Sequence, residues 1–124
     1  MLLAHSVFFV LISGLSVNDA FVMRQWGLAQ GLPEDKTVGG LGFQNVKLIA
    51  DGAAAFTRGM GMSCVWDSER GFGERSWRYA AVIDDGKIEK LFIEGGDVIQ
   101  NSGPDPFEVS GGDFVLEYLK SKAS

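Results

Sequence analysis

Cysteine and histidine are nearly absent from this sequence, which holds one of each, Cys64 and His5. A structural zinc site is closed by four ligands dominated by cysteine and histidine, so none can be built here. A lone cysteine cannot form an intramolecular disulfide, and no disulfide framework argues for secretion. A serine–histidine–acid triad would have to use His5, which lies inside an apolar run, a poor setting for a general base. Positive charge is also scarce: 11 lysines and arginines stand against 16 aspartates and glutamates, for a net charge of −5. With no basic cluster to offset that balance, phosphate backbones repel the chain and a nucleic-acid partner is not expected.

Proline is sparse at 3 residues, whereas glycine reaches 17, about twice ordinary usage, and implies many turns. The 124 residues, 46% of them hydrophobic, suit one globular domain spanning 1–124. The longest apolar stretch, Leu2 to Val17, is marginal for a membrane span. It lacks the basic start and the cleavage site of a secretory signal. It reads as a buried parallel strand, Val7 to Leu15, running into a helix, with a targeting segment or a gene-model artefact over 1–17 as alternatives. A cytoplasmic protein without a membrane partner is the expectation.

Asn18 or Asp19 is placed to cap a helix whose face carries Val22, Trp26 and Ala29, with Gly31 and Pro33 as its stop. Residues 31–44 read as a loop. Val46 to Ala50 is a short β-rich run, and Asp51 then caps a second short helix reaching Met60. Residues 59–74 form another glycine-rich stretch that holds Cys64 and Trp66. Arg78 to Ile83 and Ile88 to Ile93 are predicted strands joined at Asp84-Asp85-Gly86, since Asp-Gly supplies the positive φ angles of a tight hairpin. Lys87, Glu89, Lys90 and Glu94 read as the charges of a protected sheet edge. After a loop over 95–109, Ser110 and Asp113 suggest a capping box, and Phe114, Val115, Tyr118 and Leu119 the buried face of a last helix. Lys120 and Lys122 suit its negative end. Strand–helix alternation followed by a hairpin and a helix points to an α/β sheet with an antiparallel edge.

Two segments are denser than pattern alone requires: Ser16-Val17-Asn18-Asp19-Ala20-Phe21-Val22-Met23 and Gly71-Phe72-Gly73-Glu74-Arg75-Ser76-Trp77-Arg78-Tyr79. Val46 to Gly52, Asp85 to Glu94 and Asp105 to Ser110 add to them. In combination, over roughly residues 12–120, the chain resembles the peroxiredoxin-5-like (type II, redoxin-domain) thiol peroxidases. The resemblance implies a thioredoxin-like α/β fold, incomplete here, with a mixed sheet, a C-terminal hairpin and flanking helices. It implies thiol-dependent reduction of hydrogen peroxide and alkyl hydroperoxides, with thioredoxin, glutaredoxin or glutathione as electron donor. No cofactor or metal is called for, and a homodimer is one assembly it allows.

In that family the reactive cysteine stands at a helix start in Pro-x-x-x-Thr-x-x-Cys, where the helix end and an arginine favour the thiolate. By its place before the aromatic residue of Arg78-Tyr79-Ala80-Ala81-Val82-Ile83, Arg78 resembles that arginine; a surface or strand-end ion pair is the competing reading. Arg75 is the nearest rival and reads as structural. The cysteine motif itself is missing. Pro33-x-x-x-Thr37-x-x-Gly40 matches the skeleton, but with glycine at the thiol position and after the first helix rather than before it. Cys64 has three readings: apolar core filler, exposed thiol without a role, or accessory thiol. The family's strand leading to the reactive cysteine lies centrally, between those matching residues 7–15 and 78–83. The chain is thus expected to be an N-terminally truncated domain, to rely on a partner for that strand, or to pair the two strands directly. A noncatalytic redoxin domain that acts by binding is the alternative function.

Overall fold

The computed structural model describes residues 11–35, 42–96 and 98–123. The first strand, β1, covers Ile12–Ser16, so it starts later and ends one residue beyond the expected range, of which residues 7–10 lie outside the described residues. It pairs in parallel with β4, Val46–Ala50, in the register Ile12↔Val46 to Ser16↔Ala50. Between them runs α1, Ala20–Ala29, capped by the Asp19 carboxylate, which accepts from Val22 N at 2.9 Å.

The packed face of α1 differs from the expected one. Val22, Trp26 and Ala29 are exposed; Met23 and Gly27 are buried. The helix meets its neighbours through a glycine notch: a Cβ on Gly27 would stand 2.4 Å from the Phe43 ring and 2.9 Å from Leu48 Cδ1. Counting large apolar residues cannot find a face centred on a glycine. Within the expected loop 31–44, β2 (Glu34–Asp35) and β3 (Gly42–Phe43) form a minimal antiparallel pair.

Asp51 fixes the start of α2, Ala55–Gly59, by accepting from Phe56 N, Thr57 N and Thr57 Oγ1. The glycine-rich stretch 59–74 is more ordered than its composition suggests. It contains β5, Ser63–Trp66, a 3₁₀ turn at Ser68–Arg70 capped by Asp67, and the start of β6, Gly73–Ser76, which pairs antiparallel with β5.

The hairpin forms as its turn residues dictate. β7, Tyr79–Asp84, and β8, Lys87–Ile93, are joined by Asp85 (φ +50) and Gly86 (φ +74), with a register shift between Val82 and Ile83. β7 is covered on both faces. Tyr79 and Ala81 join Met62, Cys64 and Trp77 in one cluster. Ala80 and Val82 join Val115 in the other, with Phe92, Tyr118 and Leu119 packed around it. Val115, Tyr118 and Leu119 belong to α3, Gly112–Ala123; Phe114, expected on that face, is exposed. Ser110 and Asp113 form no capping box, because the helix starts at Gly112 and the Ser110 N–H donates to Glu94 instead. Lys122 of α3 pairs with Glu89 of β8.

Among the described residues the four strand pairs are separate two-stranded ladders. Among the described residues, no ladder joins β1 to β7, so direct pairing of these two strands is not the arrangement adopted. Among the described residues, each has one partner and one edge left over.

Candidate functional site

The leftover edges of β1 and β7 face a shared opening. A cleft of about 670 Å³ is lined by Leu15, Ser16 and Val17 on one side and by Trp77, Arg78, Tyr79 and Asp105 on the other. A second, of about 390 Å³, continues it between Ile12, Ser13 and Gly14 and the residues Tyr79, Ala80 and Phe107. Trp26, Arg78 and Tyr79 line both.

Arg78 is exposed because its neighbours are not. Trp77 and Tyr79 are both buried, and alternation along an extended chain turns the residue between them the other way. Its guanidinium donates from Nη2 to Asp105 Oδ2 at 2.8 Å and from Nε to Asp105 Oδ1 at 3.3 Å. It also lies 5.1 Å from the centre of the Phe107 ring. The two bonds occupy two of the five N–H donors of a guanidinium, leaving others for an incoming oxygen. The ion-pair reading of Arg78 and the site reading therefore coexist. Beside it, Tyr79 has its phenol pushed up to about 12 by burial and stays protonated.

Arg75 does something else. Its Nε donates to Phe72 O at 2.9 Å, and its Nη1 donates to Val17 O at 2.7 Å and Asn18 Oδ1 at 2.9 Å. These are neutral oxygens, two of them in the turn between β1 and α1. Arg75 thus joins the two dense sequence segments into one wall of the larger cleft.

Cys64 does not meet Arg78 at the cleft. It is 2% exposed, packed among Met62, Trp77, Tyr79 and Ala81, and its Sγ donates to Arg75 O at 3.5 Å. Burial pushes its thiol up from the ordinary range, which favours the unreactive protonated form. It lines neither cleft. Of the Pro33-to-Gly40 skeleton, Thr37 and Gly40 lie outside the described residues.

Sequence reasoning missed the three residues that surround the arginine. Asp105 and Phe107 stand 27 and 29 positions after it, in a loop where nothing local names a partner. Glu94 reads as an edge charge but is wholly buried at 0% exposure. Burial pushes its carboxyl up, but backbone N–H groups of Glu108, Val109 and Ser110 outweigh this and hold it below the usual range. Among the described residues no group of three or more histidine, cysteine or acidic side chains could hold a metal ion, and no helix is long and apolar enough to cross a membrane.

Residues 4–103 match the Redoxin family model. A peroxiredoxin of Synechocystis sp. is 52% identical over 106 residues, covering 86% of this chain and 49% of that protein. A peroxiredoxin of Rhizobium etli is 50% identical over 109 residues, covering 88% of this chain and 54% of its own length. Among solved structures, reduced Prx3 of Vibrio vulnificus in complex with hydrogen peroxide aligns with a TM-score of 0.70 at 36% identity, over 93% of this chain and 59% of that one. A 1-Cys peroxiredoxin of Plasmodium falciparum aligns with a TM-score of 0.73 at 27% identity, over 91% of this chain and 56% of that one. The chain therefore spans about half the length of the relatives it matches.

Proposed function

We infer function from one premise: this chain belongs to the Redoxin family, as a homologue of the peroxiredoxins, and has their thioredoxin-like α/β fold. We propose that it carries the arginine side of a thiol peroxidase site for hydrogen peroxide and alkyl hydroperoxides. The observation that carries this reading is the position of Arg78, at the rim shared by both clefts, between a β1 and a β7 that no ladder joins among the described residues.

In the proposed reaction a thiolate attacks one peroxide oxygen. The S–O bond forms as the O–O bond breaks, and the leaving oxygen takes a proton to depart as water or alcohol. Arg78 would donate to the thiolate and to the oxygen that gains charge. One donor thiol then displaces water from the sulfenic acid to give a disulfide, and a second restores the thiol by exchange. Thioredoxin, glutaredoxin or glutathione fits this step, in a cytoplasmic setting.

Cys64 is a poor source of the thiolate, because it is buried and protonated and lies off the cleft. The thiol is instead proposed to come from a segment seated in the opening between β1 and β7. The chain as it stands should therefore consume hydrogen peroxide with dithiothreitol no faster than its Cys64→Ser variant. A large turnover that disappears in Cys64→Ser would make Cys64 the peroxidatic residue and overturn this assignment. The same assay separates the second reading, a noncatalytic binding domain, only when the thiol-bearing segment is supplied.

A further inference from the structure

Glu94 directly follows β8, whose own charges, Lys87, Glu89 and Lys90, face solvent. Its carboxylate is instead enclosed and takes three backbone donors: Glu108 N at 2.8 Å on Oε2, and Val109 N at 2.8 Å and Ser110 N at 2.7 Å on Oε1. No lysine or arginine pairs with it among the described residues. A buried carboxylate is stable only if its oxygens are filled, and consecutive amides of one turn fill them at fixed positions. The turn 108–110 is thereby pinned to the end of β8.

That turn directly follows the two residues that hold Arg78. Asp105 grips the guanidinium edge and Phe107 lies against its face. Glu94 also holds the backbone on which Arg78 is mounted. Its N–H donates to Arg78 O at 3.3 Å, and its carbonyl accepts from Trp77 Nε1 at 3.0 Å. The exit from β8 leaves little slack: Gly95 has φ +71, and a Cβ there would come within 3.1 Å of Val98 O and 3.2 Å of the Trp77 ring. One residue thus grips both the mount of the arginine and the loop that clasps its head.

We propose that Glu94 is a positioning residue, which sets the location of the Arg78 guanidinium by pinning the 105–110 loop to the Arg78 backbone. The importance of that location rests on the peroxidase reading of Arg78; the mechanical claim does not. Glutamine at this position keeps one acceptor oxygen but turns an NH₂ group toward a backbone N–H. At least one of the three bonds must then be lost.

The test uses the whole chain, labelled with ¹⁵N, and follows hydrogen exchange at individual arginine Nε–H groups. In Glu94→Gln, exchange at Arg78 Nε–H should speed up about tenfold, as it should in Asp105→Asn, through loss of one net hydrogen bond to a charged group. Arg75 Nε–H, bonded to Phe72 O rather than to any residue of the 105–110 loop, should change by less than about twofold. An unchanged rate at Arg78 in folded Glu94→Gln would overturn the proposal. Equal acceleration at Arg75 would overturn it too, since Glu94 would then be a general stabiliser. Should Glu94→Gln not fold, Glu94→Asp, which keeps the charge but withdraws it by one methylene, is read by the same comparison. No peroxide enters the measurement, so its outcome is independent of whether the peroxidase reading holds.

Discussion

Arg78 and Arg75 lie three residues apart and have divided two tasks between them. Arg78 carries its guanidinium at the rim of both clefts, on a carboxylate and an aromatic ring. Arg75 spends its donors on three neutral oxygens and holds the β1–α1 turn. Cys64 shows the opposite of what a reactive thiol needs. A peroxidatic cysteine is partly exposed and held as thiolate, whereas this one is enclosed and pushed toward the protonated form. Native protein at pH 8 should therefore react with iodoacetamide at least ~10-fold more slowly than urea-unfolded protein. Equal rates would mean that Cys64 is open to solvent and that the core reading of it is wrong.

At the scale of elements, α1 is held by a contact that depends on having no side chain at Gly27. Gly27→Ala would drive a Cβ into the Phe43 ring, and the helix or β3 must shift. The gain in helix propensity, about 1 kcal/mol, is smaller than an overpacking cost of ~1–3 kcal/mol, so the variant should be less stable in urea unfolding. An unchanged or raised midpoint would show that α1 packs by another face. A second tie links α2 to the β5–β6 pair: Arg58 Nε and Nη2 and Ser63 Oγ all donate to the Glu74 carboxylate. Those bonds, with the Arg58 bond the largest cause, lower the Glu74 carboxyl from 4.5 to about 2. A depressed carboxylate contributes stability above its unfolded pKa and loses it as pH falls through the folded value, so the window here is pH 4.5 down to about 2. Wild-type protein should lose more urea resistance between pH 6 and 3 than Glu74→Gln does. The difference should be small, because the pair is open to solvent. Identical losses would remove Glu74 as a contributor to acid sensitivity.

Which elements could be read from the sequence follows from where their code lies. The hairpin was legible because Asp85-Gly86 between alternating apolar residues names its own turn, and β4 and the capped start of α1 were legible for similar local reasons. The pair β5–β6 was not: its strands sit in a glycine-rich stretch and are defined by pairing with each other, Cys64 opposite Arg75. Val22 and Trp26 mark a face that α1 does not bury, because the contact is made through Gly27. Arg78 was legible as a candidate from its place before Tyr79. Its clasp was not, because Asp105, Phe107 and Glu94 reach it through a loop and a buried carboxylate that no periodicity reports. A charge at a strand end is ordinarily solvated, so Glu94 gave no local sign of burial.

For the molecule as a whole, the governing feature is a pair of strands that each lack a second neighbour among the described residues. β7 is covered on both faces, as a strand inside a sheet would be, yet among the described residues only β8 pairs with it. Among the described residues β1 has only β4, over five residue pairs. The hairpin has the longer ladder, a locally coded turn and two clusters around it. Its amides should therefore resist hydrogen exchange longer than those of β1 and β4 in isolated protein. Open edges also favour association, so sedimentation should detect self-association that rises with concentration. Uniform protection in a strict monomer would mean that the two edges are satisfied in some other way.

The most direct test of the arginine assignment joins this chain to the part of the Rhizobium etli peroxiredoxin that it does not span, and measures the rate of hydrogen peroxide reduction with the pKa of the reactive thiol. Arg78→Met should slow peroxide reduction by ~10²-fold or more and raise the thiol pKa, as expected for loss of one charge-stabilising donor, while Arg75→Met should cost much less. Equal losses at the two positions, or a greater loss at Arg75, would contradict the assignment of Arg78 to the site.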